Sequence, residues 1–230
     1  MQDTLSHTSF NVQRAAAMWN IRVCVFGDSI VNGTGDPDFV GWPAYVFRQM
    51  PARHAGITLY NMGIRGNTSV QVASRWLQEA TARLPETSIG HVIFSFGVND
   101  CVDLDGRRRV ELADSLAAAE AILSDAKGRW PTLMIGPSPI SDPGINQRIE
   151  KLSEALAALC RRLDIPFIET FGSLRDDPLW QTELAERDGA HPGRAGYRML
   201  ASLISRSDAW SKAAAAMIAP NEQHPTGAGT

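Results

Sequence analysis

The chain has 230 residues, and its 22 lysines and arginines against 25 aspartates and glutamates leave a formal charge of −3, which gives nucleic acid no electrostatic hold. With 44% hydrophobic and 20% charged residues it has the composition of a globular protein with a sizeable core, which excludes extended disorder. No run approaches the roughly 18 apolar residues of a membrane span, and the longest alanine-rich stretch is interrupted by Lys212.

The first twenty residues carry Asp3 early and no apolar segment of the secretory kind, so a cytoplasmic protein is expected. Residues 1–19 are polar or irregular, and 219–230 are rich in turn formers; both ends are expected to be flexible, leaving 20–218 as a single domain. Cys24, Cys101 and Cys160 are too few and too scattered for a disulfide framework or a closed zinc site and read as packing residues.

Five short β-rich runs follow in chain order: IRVCVF at 21–26, ITLYN at 57–61, HVIFSF at 91–96, TLMIG at 132–136 and IPFIE at 165–169. Helical patterns lie between them. One places Leu112, Leu116, Ala119 and Leu123 on one face; the run Arg107, Arg108 and Arg109 before it reads as a solvated surface rather than an anion site. The clearest helix spans about 145–163, where Ile145, Ile149, Leu152, Leu156, Leu159 and Leu163 recur at spacings of four and three. Such βαβ rhythm predicts a parallel five-stranded sheet in a flavodoxin-like, three-layer α/β/α sandwich with strand order 2-1-3-4-5.

In an open α/β sheet, ligands bind outside the carboxyl ends of the strands. Polar residues collect there: Gly27-Asp28-Ser29-Ile30 after the first strand, Asn61-Met62-Gly63-Ile64-Arg65-Gly66-Asn67 after the second, and Gly97-Val98-Asn99-Asp100 after the third. A fourth cluster, Asp188-Gly189-Ala190-His191-Pro192, precedes the last helix. Each taken singly is ordinary turn chemistry, whereas together they supply a nucleophile, a base with a carboxylate, and hydrogen-bond donors.

In these four blocks the sequence resembles the GDSL esterase/lipase family, also called SGNH hydrolases after their Ser, Gly, Asn and His blocks. The one departure in the first block is Ile30 where the family name has Leu. The resemblance implies a flavodoxin-like fold and ester hydrolysis, with Ser29 as nucleophile, Ser29, Gly66 and Asn99 as oxyanion donors, and Asp188 and His191 completing the triad.

The residue chemistry agrees. A serine hydroxyl at pH 7 requires a base within hydrogen-bond reach, and His191 is the candidate: His7 and His224 lie in the ends, His54 in a polar loop, and His91 at the start of the third strand, away from the site. Pro192 disfavours a helical backbone at His191 and keeps the imidazole in the loop. Asp188 is near enough to orient that ring, with Glu186 and Asp177 as alternatives, and Gly63 rivals Gly66 as a donor. Asp28 and Asp100 read as loop-shaping acceptors and Cys101 as packing.

There is no GxSxG elbow, P-loop or HExxH, and Gly33-Thr34-Gly35-Asp36-Pro37-Asp38 lacks the third glycine of a dinucleotide fingerprint. No cofactor or metal is expected. The expectation is a serine hydrolase acting on a small-molecule carboxylic ester, with no nucleic acid or membrane span, through an acyl-enzyme on Ser29. The loop 33–42, with Phe39 and Trp42, and the segment 137–143 are candidates to line the substrate; the absence of a long apolar lid favours a short acyl chain. Two alternatives use the same fold: a catalytically silent binding module, and an acyltransferase. An exposed helix or sheet edge could support a homo-oligomer.

Overall fold

A computed structural model of the protein describes residues 20–50 and 56–218. His7, His54, His224 and both ends expected to be flexible, 1–19 and 219–230, lie outside these residues.

The central sheet comprises β1 (Ile21–Gly27), β2 (Ile57–Gly63), β3 (Ile89–Ser95), β6 (Thr132–Ile135) and β7 (Phe167–Ile168), in the order β2-β1-β3-β6-β7 with every pair parallel. Among the strands of this sheet that is the expected order 2-1-3-4-5. The difference lies in the chain between β3 and β6, where a separate antiparallel ribbon pairs β4 (Asp103–Leu104) with β5 (Arg107–Arg108). No apolar alternation marks this exposed two-residue pairing, so periodicity gave no sign of it. The last strand is shorter than the apolar run 165–169 because Pro166 has no N–H to donate, although its carbonyl accepts from Met134 at 3.0 Å.

Successive residues of the strands alternate between two faces, and both faces are buried. Cys24, Phe26, Val92 and Phe94 pack against one helical layer, built from α3 (Ser69–Arg83), α5 (Leu112–Lys127) and α6 (Pro143–Arg162). Ile21, Val23, Val25 and Ile93 pack against the other, which includes α2 (Gly41–Phe47), α9 (Arg194–Ser205) and α10 (Asp208–Ile218). Three layers result, as the rhythm of the sequence implies.

Helix α6 shows how pattern becomes packing. Asp142 caps its first turn by accepting from Ile145 N at 2.8 Å, and Pro143 takes a position where a missing N–H costs nothing. Its stripe then buries Ile149, Leu152, Leu156 and Leu159, each fully buried leucine stabilising by roughly 1.5–3 kcal/mol. Cys24, Cys101 and Cys160 are unpaired and buried, and burial pushes each thiol up to about 12, which removes Cys101 as a nucleophile at neutral pH. No helix among the described residues is long and apolar enough to cross a membrane.

Candidate active site

The carboxyl ends of β1, β2 and β3 lie side by side, since Gly27 is in register with both Gly63 and Ser95. Each strand therefore delivers its following loop to one edge. After β1 the chain turns at Asp28, whose Oδ1 accepts from Ile30 N at 2.9 Å, into the short helix α1 (Ser29–Asn32). Ser29 is nearly buried, at 7% exposure. Helix α1 is only one turn, so its dipole contributes little at Ser29 N–H.

His191, the expected base, arrives from the other end of the chain. His191 Nε2 lies 2.8 Å from Ser29 Oγ, and His191 Nδ1 lies 2.6 Å from Asp188 Oδ2. The loop carrying both is closed on itself, because Asp188 Oδ1 accepts from the backbone N–H of Ala190 at 3.0 Å and of His191 at 2.9 Å. Gly189, with φ of 81°, supplies the left-handed backbone of the turn, and its carbonyl accepts from Ser141 N at 2.7 Å. Burial would raise the Asp188 pKa, but the bonds from the His191 ring and the two amides outweigh it and hold the carboxyl at about 2. Pro192 and Gly193 keep the imidazole ahead of α9. The alternative carboxylates are engaged elsewhere: Asp177 caps α8 (Pro178–Ala185) through Leu179 N and Trp180 N, and Glu186 ends the same helix.

Gly66 sits in the turn from Ile64 to Asn67, closed by Asn67 N donating to Ile64 O at 3.1 Å. Its φ of 75° at the third position is that of a type II turn, in which the central peptide is flipped relative to type I. That flip decides which way Gly66 N–H points. A Cβ there would meet nothing within 4 Å, so glycine is required by the backbone and not by space. Gly63 differs: its N–H donates to Asn61 Oδ1 at 3.0 Å, and a Cβ would overlap Asn32 of the nucleophile turn. Gly63 is thus closely packed with its N–H engaged, unlike Gly66. Neither Ser29 N–H nor Gly66 N–H has an acceptor among the described residues. Asn99, in α4 (Val98–Cys101), donates one amide hydrogen to Asn67 O at 3.1 Å, and its side chain also lies against the Asp28 carboxyl.

Behind these donors lie two buried carboxyls. Asp100 Oδ1 accepts from Ser69 N at 2.8 Å, whereas Asp100 Oδ2 and Ser69 Oγ have no partner. Asp28 is 2% exposed; burial pushes its carboxyl up to about 7, against the bond from Ile30 and with the help of the Asp100 charge.

Two arginines brace the same edge. Arg75 donates to Gly27 O and Met62 O, each at 3.0 Å, and to Asn67 Oδ1 at 2.8 Å. Arg109 donates to Gly66 O at 2.7 Å and, more loosely, to Asn99 Oδ1 at 3.4 Å. The reading of the 107–109 run as solvated surface holds for Arg107, which is exposed, and for Arg108, which pairs with Glu111, but fails for Arg109. The ribbon turns that side chain inward, and the sequence carries no signal of it beyond the charge itself.

Of the candidate lining residues, Trp42 is fully buried in the core and Phe39 is 91% exposed at a φ of 57°. Their loop is fastened beside the base: Asp38 forms an ion pair with Arg194 at 2.5 Å, and Gly35 packs against His191 Cβ. Segment 137–143 supports the histidine loop through Ser141 and accepts Trp180 Nε1 on Pro139 O at 3.1 Å. A separate cavity of about 540 Å³, lined among others by His91, Trp130 and Met217, opens at the opposite edge of the sheet. Among the described residues, no three His, Cys, Asp or Glu side chains gather as a metal-holding group.

The GDSL-like Lipase/Acylhydrolase family profile matches residues 25–199. Among curated proteins, no sequence matches significantly. Among solved structures, the chain is similar to the lipase/acylhydrolase from Enterococcus faecalis, at 24% identity and a TM-score of 0.64 over 81% of this chain and 94% of that one. It is similar also to Axe2, an acetylxylan esterase from Geobacillus stearothermophilus, at 22% identity and a TM-score of 0.67 over 81% and 93%. LAE5, an α/β hydrolase from the metagenome of Lake Arreo, Spain, matches at 19% identity and a TM-score of 0.65 over 87% and 99%. These likenesses show a shared fold, and the profile spanning all four polar blocks shows more: the chain belongs to the GDSL-like lipase/acylhydrolase family and is a carboxylic ester hydrolase.

Proposed function

We propose that the protein hydrolyses carboxylic esters of short acyl chains through an acyl-enzyme on Ser29. The supporting observation is the unbroken relay from Ser29 Oγ to His191 Nε2 at 2.8 Å and from His191 Nδ1 to Asp188 Oδ2 at 2.6 Å. In this reading His191 takes the Ser29 proton as Oγ attacks the carbonyl carbon, and Asp188 holds the ring in the right tautomer and stabilises the imidazolium. Charge developing on the carbonyl oxygen is received by Ser29 N–H, Gly66 N–H and the side-chain amide of Asn99, each contributing roughly 3–4 kcal/mol. His191 then returns the proton to the leaving alcohol, and water, deprotonated by the same imidazole, releases the acid.

Two things favour a small acyl group. Trp42, on the loop beside the site, is withdrawn into the core and offers no apolar wall for a long chain. The similar structure Axe2 is named as an esterase of an acetylated polysaccharide.

Labelling with a fluorophosphonate probe, followed by mass spectrometry, should give a single adduct on Ser29 that is absent after heat denaturation. Folded protein that stays unlabelled would sink the nucleophile assignment. Replacing Ser29 by Ala should lower kcat by at least about 10⁴-fold without shifting the melting temperature. Rates across acetyl, butyryl, octanoyl and palmitoyl esters should peak at the short end, and a palmitoyl maximum would reject the acyl preference.

A further inference from the structure

Arg109 stands ten residues beyond Asn99, on the far side of the ribbon, yet its guanidinium reaches both expected oxyanion segments. The backbone makes this reach definite. Arg109 N donates to Val102 O at 3.0 Å and Val110 N to Asp100 O at 3.3 Å, so the root of the side chain is tied to the chain directly after Asn99. From there Nη2 donates to Gly66 O at 2.7 Å and Nη1 faces Asn99 Oδ1 at 3.4 Å.

The chemistry of the partners is one-sided. A guanidinium only donates, so it can face the oxygen of the Asn99 amide and never its nitrogen. The Asn67 carbonyl only accepts, so it can face the nitrogen and never the oxygen, and it takes one amide hydrogen at 3.1 Å. Together they exclude the flipped amide and fix the edge on which both amide hydrogens lie. At Gly66, anchoring the carbonyl fixes the C-terminal peptide of a turn whose central peptide must stay flipped for the N–H to point outward. Among the described residues no carboxylate pairs with Arg109, whereas Arg75 on the same edge is paired with Glu79 at 3.2 Å. The positive charge of Arg109 is therefore not neutralised where negative charge develops.

Accordingly, we propose that Arg109 is a positioning residue for the oxyanion hole: one guanidinium sets the orientation of both the Gly66 and the Asn99 donors. The proposal rests on the serine esterase reading above. It acts through Gly66 and Asn99 and makes no contact with the ester.

Steady-state hydrolysis of p-nitrophenyl acetate by wild type, Arg109→Ala, Arg109→Lys and Ser29→Ala tests it, alongside melting temperatures. Arg109→Ala should lose kcat by about 10- to 100-fold with KM within about twofold, and guanidinium ion should restore part of it where sodium chloride at equal ionic strength does not. Arg109→Lys keeps the charge but cannot fork to two acceptors, and should retain less than about a fifth of wild-type kcat at unchanged KM. Wild-type kcat in either variant overturns the proposal, as does a rise in KM at constant kcat, which would make Arg109 a substrate contact. Should Arg109→Ala fail to fold, the kcat of Arg109→Lys decides in the same way. A wild type no more active than Ser29→Ala would instead overturn the esterase reading itself, and the positioning role with it.

Discussion

The two halves of the candidate site are built on opposite plans. The expected acid and base, Asp188 and His191, are three residues apart in a loop that the Asp188 carboxylate closes on its own backbone amides. The expected oxyanion donors Ser29, Gly66 and Asn99 come from three separate loops and are joined by bonds that span long stretches of chain, such as Asn99 to Asn67 and Arg75 to Gly27. A local device is encoded by spacing and tolerates change elsewhere; a distributed one depends on the sheet register and on its braces. Damage to the first should alter proton transfer alone, and damage to the second should alter charge stabilisation.

The largest effect that would sharpen this contrast is Asp188→Asn. It preserves shape but removes the charge and the acceptor that fix the His191 tautomer, so kcat should fall by about 10³- to 10⁴-fold with little change in KM. A loss below about tenfold would mean that the half-exposed Asp188 carboxylate is replaceable by water. Asn99→Ala comes next, with an expected loss of about 10²- to 10³-fold in kcat and an intact fluorophosphonate adduct, formed more slowly. An unchanged labelling rate would exclude Asn99 from the oxyanion hole.

A smaller effect is expected from Gly66→Ala. Space is open around the new methyl, but a φ of 75° costs an alanine about 1 kcal/mol, which favours flipping the turn and turning the N–H away. Activity should fall by tens-fold while the melting temperature moves by only a few degrees, roughly 2–4 °C per kcal/mol for a protein of this size. Loss of stability without loss of kcat would assign Gly66 to the turn alone.

The last effect is read in stability against pH and not in turnover. Folded Asp28 keeps its proton up to about 7, whereas its ordinary value is 3.8, so the folded state binds the proton more tightly over that window. The stabilisation is complete below about pH 4 and is lost as pH rises towards 7. Asp28→Asn has no such proton to lose: its melting temperature should exceed that of wild type at pH 8 and converge with it near pH 4. Parallel profiles would show that Asp28 ionises freely in the fold.

How much of this was legible in the sequence follows from the same contrast. The strands and the α6 stripe were readable because burial on fixed faces imposes periods of two and 3.6, and the strand order followed from parallel crossovers. Ser29, Asp188 and His191 stood out only in combination, since each polar turn is ordinary by itself and the four together match the family's Ser, Gly, Asn and His blocks. Trp42 was misplaced, since nothing local tells an aromatic on a rim from one pointing into the core; here it fills the layer beneath α9. Arg109 was lost in a basic run because its target lies 43 residues away, and contact at that separation leaves no periodic trace. The ribbon that delivers it is too short and too polar to register.

One consequence of the histidine loop concerns the resting enzyme between turnovers. Because Asp188 and His191 share a loop closed by its own amides, a backbone motion that lengthens the 2.8 Å contact to Ser29 carries base and carboxylate away as one piece. The ring leaves with its tautomer still set and returns with it unchanged. Resetting after product departure therefore asks for a displacement of the loop and no rearrangement of protons.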